Sequence, residues 1–151
     1  MAKGPLILER FLPYRLSVVT NRISGALSRH YAERFGISIP EWRVVANLGR
    51  HPGLTANDVV ERSAMDKVTV SRAVAALEEK GLLSREKDAG DKRKSLLTLS
   101  EKGEQVYVEI APLALGFERD LLTALTADEA AQLDRIIDKL NSKMDVVDDE
   151  G

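Results

Sequence analysis

The chain has 151 residues, 44% of them hydrophobic and 30% charged, with no cysteine and a formal net charge of −2. The lack of cysteine excludes disulfides and thiol sensing and fits a reducing cytoplasm. No run approaches the ~20 uninterrupted apolar residues of a membrane span, so no membrane partner is expected, and Glu9 and Arg10 interrupt the N-terminus too early for a secretory signal.

At this length one domain, residues 1–151, is expected. Its charge is segregated. Residues 1–99 carry 17 Lys and Arg against 11 Asp and Glu, whereas residues 100–151 carry 5 against 13. Local potential, not the net charge of the chain, sets attraction to phosphates. A chain divided in this way can therefore meet nucleic acid with its basic part.

In chain order, Leu12, Leu16, Val19, Ile23, Leu27 and Tyr31 recur at three- and four-residue spacing, which predicts one helix from about Leu8 to Arg34. A second helix should begin at Pro40, which suits a first helical turn, and run to about Leu48. A short helix over 55–62 follows, with Thr55 as its expected N-cap, then a tight turn over 63–66. The next helix, from Lys67 to Lys80, has Asp66 to cap it and Gly81 to end it in a left-handed residue.

In that helix Val70, Val74 and Leu77 make the buried stripe. The opposite face carries Lys67, Thr69, Ser71, Arg72 and Ala75 and no carboxylate. Strand-like runs at 82–87 and 94–99 flank a polar turn at 88–93, where Gly90 is expected to supply a permissive backbone. Helix, turn, helix and hairpin in this order read as a winged helix-turn-helix over 36–99, which sets its second helix in a DNA major groove. The fold class is then mainly α with a small β-wing. Arg85, Lys87, Lys92, Arg93 and Lys94 cluster on the hairpin. Arg93 suits the narrow, electronegative minor groove, and Asp91 is placed to pair with an arginine and hold the tip. Solvated charged surfaces are the bland alternative for both elements.

Ser100 is expected to cap the next helix. Val106, Ile110, Leu113, Phe117 and Leu121 form one further stripe, and Ala130, Leu133, Ile137, Leu140 and Met144 another, with Thr126 or Asp128 near its start. An acidic tail, 145–151, closes the chain. Three apolar stripes outside a small module favour intertwined helices from two copies, with 1–35 and 100–145 as the dimerisation region. A monomeric four-helix core is the other solution. A two-fold dimer presents two reading helices ~34 Å apart, the repeat of a pseudo-palindromic operator.

The residues from Met65 to Arg72, from Leu77 to Leu82, at Asp91-Lys-Arg93 and from Leu97 to Gly103 resemble the MarR family of bacterial transcription regulators. Val68 departs from the pattern, since a small polar residue is common there. The resemblance implies a homodimeric, ligand-responsive repressor of double-stranded DNA, with Lys67, Thr69, Ser71 and Arg72 in the major groove. It places Arg93 in the minor groove, Asp91 beside it, and Lys87, Lys92 and Lys94 on phosphates.

It also implies an effector pocket between the dimer helices and the winged helix, for which Tyr14, Arg15, Asn21, Trp42 and Arg43 are the candidates, with Arg22 and His30 nearby. The segment Phe11–Ser17 is reminiscent of members that control aromatic-acid catabolism and answer to aryl carboxylates or their coenzyme A thioesters. Arginine forks suit such anions, while Trp42 reads equally as a core anchor. An enzyme has little support: only His30 and His51 are present, no nucleotide, hydrolase or zinc fingerprint occurs, and no cofactor is expected. A winged helix used as a protein-interaction module is the remaining alternative.

Overall fold

The computed structural model describes residues 4–150, in which a short 3₁₀ turn (Leu8–Arg10) precedes seven helices and a two-stranded sheet. The elements are α1 (Leu12–Ser28), α2 (Ala32–Phe35), α3 (Ile39–Arg50), α4 (Ala56–Ser63), α5 (Lys67–Glu79), β1 (Leu83–Lys87), β2 (Ser95–Leu99), α6 (Glu101–Leu122) and α7 (Ala127–Glu150). Among the described residues no helix is long and apolar enough to cross a membrane. The chain forms two compact units, residues 1–113 and 114–151.

The first unit has one core, built where α3, α4 and α5 meet the hairpin. Val44, Val45, Leu48, Val59, Val70, Val74, Leu77 and Leu97 are fully buried there. The apolar spacing read in α5 is the buried face, and Ala73 joins it. Local chemistry sets the helix starts. The Ser38, Thr55 and Asp66 side chains each accept a backbone N–H three residues on, from Glu41, Asp58 and Thr69. Thr55 and Asp58 complete a reciprocal capping box. The chain leaves α5 through Gly81 at φ 73°, a backbone that costs glycine no Cβ clash. The turn between α4 and α5 instead uses Ala64 at φ 55°, a left-handed conformation that the sequence does not announce.

The hairpin is antiparallel, with Leu83 opposite Leu99 and Lys87 opposite Ser95. A single bridge from Leu54 to Leu97 adds a third piece of backbone, tying the approach to α4 to the wing. Gly90 lies in the polar turn as expected, without a positive φ. Its N–H is held by Asp88 Oδ1 at 3.0 Å, so an aspartate side chain makes the turn.

The expected continuous helix from Leu8 to Arg34 is broken. The N–H groups of His30 and Tyr31 donate to the carbonyls of Leu27 and Ser28, three residues back, and α1 closes there. The break lets Tyr31, 1% exposed, turn into the core and tilt against Trp42 at 5.7 Å between ring centroids. Trp42 in turn stacks on Tyr107 of α6 at 6.4 Å. Burial pushes the Tyr31 hydroxyl up to about 12, with Arg43 pulling the other way.

Helix α6 starts at Ser100, which accepts from Gly103 N–H at 3.0 Å and donates to the carbonyl of Gly81 at 2.6 Å. In the second unit, Thr126 and Glu129 form a capping box at the start of α7. The acidic residues expected as a tail continue that helix to Glu150, and Gly151 lies outside the described residues.

Candidate nucleic-acid interface

Lys67, Ser71 and Arg72 are exposed on α5, and Thr69 is half-buried beside them. Lys67 and Arg72 form no salt bridge among the described residues, so their charges face solvent unspent. Thr69 has a structural task as well: its N–H and hydroxyl both bond to Asp66, at 2.7 and 2.9 Å. Lys67 and Ser71 line a cleft of about 220 Å³ that reaches Asn57 of α4 and Arg85 of β1.

The wing projects further charge. The Arg93 side chain is 92% accessible, and Asp91 accepts from both its backbone N–H (3.0 Å) and its Nε (3.3 Å). The expected pairing of Asp91 with an arginine is therefore the geometry found. Asp91 orients the guanidinium by its Nε and leaves the outer nitrogens open. Lys87, Lys92 and Lys94 are exposed around it. Arg93 and Lys94 also line a second cleft, of about 430 Å³, with Thr55, Asn57 and Arg85. Arg85 is the exception in the basic cluster. Its Nε is held by Glu78 Oε1 at 2.8 Å, so it braces the wing against the end of α5.

Sequence reasoning missed a second brace. Lys80 Nζ, just past α5, bonds to Glu41 Oε1 at the start of α3 and to the carbonyl of Gly36 at 2.6 Å. Glu41 is buried and its other oxygen accepts from Ser38 at 2.8 Å. The Ser38 and Glu41 pair is local to the start of α3. The 39-residue link to Lys80 is not.

The caps carry a pH dependence. Asp58 is held below the usual carboxylate range chiefly by the Thr55 N–H, and Asp66 chiefly by the Thr69 N–H and then its hydroxyl. A depressed folded value means that the native state binds protons less readily than the unfolded chain. Stability is then present above pH ~4 and is lost as the pH falls through the folded values. Asp66→Asn should flatten the loss of melting temperature between about pH 5 and pH 2. An unchanged acid profile in Asp58→Asn and Asp66→Asn would refute this account of acid sensitivity.

The candidates for an effector pocket divide into two groups. Tyr14 and Arg15 line an open cleft of about 390 Å³ with Glu9, Val18, Val19 and Arg22. Arg43 is held at Ser24, whose hydroxyl oxygen accepts from its Nη2 at 3.1 Å, beside Tyr31 and Trp42. Ten residues of α1, roughly 15 Å, separate Tyr14 from Ser24. One chain therefore does not bring the two groups together. Asn21 is exposed on α1 between them.

A family model described as the MarR family matches residues 35–94, which run from the end of α2 to the wing. The transcriptional regulator HosA of Escherichia coli O127:H6 is 28% identical over 101 residues, covering 67% of this chain and 75% of that protein. A MarR/EmrR family transcriptional regulator from Acinetobacter sp. ADP1 superposes with a TM-score of 0.85 at 28% identity, covering 93% of this chain and 99% of that one. BpsR of Bordetella bronchiseptica, whose DNA binding is regulated by 6-hydroxynicotinic acid, shares the fold with a TM-score of 0.78 at 22% identity. That match covers 91% of this chain and 98% of BpsR. Over residues 35–94 the chain matches the MarR family, and over most of its length it is similar to transcriptional regulators of that family.

Proposed function

We propose that this protein is a homodimeric repressor that binds a pseudo-palindromic operator in double-stranded DNA and is released by a small-molecule effector. The observation that carries the DNA-binding reading is the face of α5. Lys67, Ser71 and Arg72 are exposed there without a carboxylate, next to a wing whose tip arginine is almost fully accessible. A helix entering the major groove needs free donors for base edges, and a wing needs an arginine for the minor groove. Lys87, Lys92 and Lys94 supply phosphate contacts. A protein-interaction module would not require this one-signed face. A mobility-shift titration with the DNA upstream of the gene tests the reading, and no sequence preference over bulk DNA would overturn it.

The dimer reading rests on apolar side chains that one copy leaves in water. In the first unit these include Leu8, Phe11, Leu12, Leu16 and Val19. In the second they include Leu133, Ile136, Ile137, Leu140 and Met144. The latter recur at helical spacing along α7 and are between 39% and 51% exposed. Stripes of this size on isolated helices mark an interface. A second copy covers them in our reading, with residues 1–35 and 100–145 as the dimerisation region of a single MarR-type domain. Sedimentation should give about twice the mass of the chain. A stable monomer at micromolar concentration would sink the architecture.

For the effector we infer an aryl carboxylate or its coenzyme A thioester, and with it a place in the control of aromatic-acid catabolism. BpsR, of the same fold, answers to an aromatic acid. Tyr14 and Trp42 offer apolar faces, and Arg15 and Arg43 offer forks for an anion. Since one chain separates these two groups, our reading has a dimer complete the pocket. An effector releases DNA only as far as it binds the non-binding arrangement more tightly, so a hundredfold release needs ~2.7 kcal/mol of differential affinity.

A further inference from the structure

Helix α5 buries Val70, Ala73, Val74 and Leu77. At about 100° per residue, Val68 points within about 10° of directly away from the middle of that stripe. Ser71, Arg72 and Ala75 follow it at helical spacing on the same side, and all three are exposed. Lys67 lies toward the edge of the face. The centre of the outward face is therefore an isopropyl group, not a cation. Val68 is 59% exposed, and it belongs neither to the core nor to the apolar side chains packed against it. Its backbone N–H contributes to the Asp66 cap, a task that does not involve the side chain. Valine is also a poorer helix former than alanine, so α5 gains nothing locally from it.

We propose that Val68 reads a thymine, its methyl groups packing on the C5-methyl of a T·A pair in the major groove, next to the base that Arg72 meets. The inference rests on the reading of α5 as the helix that enters the major groove, and deepens it by naming a base. A reading helix meets base edges with its N-terminal residues, and Val68 is in the first turn of α5. Thymine is the base that shows an apolar group in that groove. Contact takes both apolar surfaces out of water. Cytosine in the same place would present its N4 amino donor, which an isopropyl group covers without accepting from it. A protein partner is a poorer match. One isopropyl group beside Ser71 and Arg72 is too small a patch to hold a protein, whereas Lys67 and Arg72 attract phosphates.

Selection of a preferred duplex from a random pool by the full chain, followed by replacement of each thymine in turn by deoxyuridine, tests the proposal. Uracil keeps every hydrogen-bonding group of thymine and lacks only the methyl. At one thymine of the site the replacement should weaken binding about threefold to tenfold, the effect of one buried methyl. Val68→Ser should bind the thymine and uracil duplexes alike at that position. Arg72→Ala, although weaker overall, should keep the difference. A melting curve checks that Val68→Ser stays folded, and the comparison of the two bases with the parent chain needs no variant. A preferred duplex in which no thymine is sensitive to loss of its methyl would overturn the proposal and leave the DNA-binding reading standing. So would a difference that persists in Val68→Ser or vanishes in Arg72→Ala. Selection of no preferred duplex would overturn both.

Discussion

Gly103→Ala should lower stability, while Gly116→Ala in the same helix should raise it. Both glycines lie inside α6, where alanine is intrinsically better by about 1 kcal/mol. What differs is the space each has. A Cβ on Gly103 would stand 2.0 Å from the backbone carbonyl oxygen of Leu82 and 3.3 Å from Leu99 Cβ. That carbonyl cannot swing aside, because it accepts the Ser100 N–H at 3.0 Å, and Ser100 also bonds to Gly81 and Gly103. The first turn of α6 is thus pressed against the junction between α5 and β1, and only glycine fits.

Forcing backbone apart there costs on the order of 1–3 kcal/mol or more, which exceeds the gain in helix propensity. The melting temperature should fall by about 2–12 °C. At Gly116 the nearest atom to a new Cβ is Arg119 Nη2 at 3.6 Å, an ordinary contact with a flexible side chain. Thermal melts of the two variants give the comparison. A Gly103→Ala protein as stable as the parent would refute the close approach. A loss at Gly116 would mean that a second copy packs on that face of α6.

The parts of this fold that were legible in the sequence are those decided locally. Thr55, Asp66 and Ser100 each cap the helix that follows, because a short oxygen-bearing side chain before an apolar run has one use there. Gly81 ends α5 for the same kind of reason. The stripe Val70, Val74, Leu77 is buried because a helix has only one face to give its core. The hairpin was visible as two strand-like runs around a polar turn, and its tip brings Asp91 and Arg93 together because they are two residues apart.

What was not legible depends on distant partners. Apolar spacing continues unbroken from Leu12 to Tyr31, so periodicity alone extends one helix through both. The chain breaks after Ser28 because Tyr31 packs into the core against Trp42, and no proline or glycine marks the place. The bond from Arg85 to Glu78 converts one cation of the hairpin cluster into a brace, and Lys80 past α5 is likewise spent on Glu41. The count of basic residues on the wing therefore overstated the charge available to a phosphate. The candidate effector residues share the same difficulty in reverse. Roughly 15 Å of α1 separates Tyr14 from the site of Arg43.

Arg72 and Arg93 should therefore carry the largest losses of DNA affinity, and for different reasons. Neither is spent on a structural bond that buries it. Arg72 forms no ion pair among the described residues, and Asp91 engages Arg93 at Nε. If Arg72 reads a base edge, Arg72→Ala costs ~1–3 kcal/mol and relaxes preference at one operator position. A phosphate contact would instead weaken all sequences alike and make the salt slope shallower by ~1. Arg93→Ala should hit operators with A·T-rich flanks hardest, because a narrow minor groove concentrates negative potential on a guanidinium. Asp91→Ala should produce a milder loss of the same kind, since it frees the wing arginine without removing it. Arg85→Ala separates charge from bracing: it should lower melting temperature as well as affinity, because it releases Glu78. Binding isotherms on matched operator variants at several salt concentrations distinguish these outcomes. Unchanged affinity in both Arg72→Ala and Arg93→Ala would remove α5 and the wing as the DNA-contacting surface.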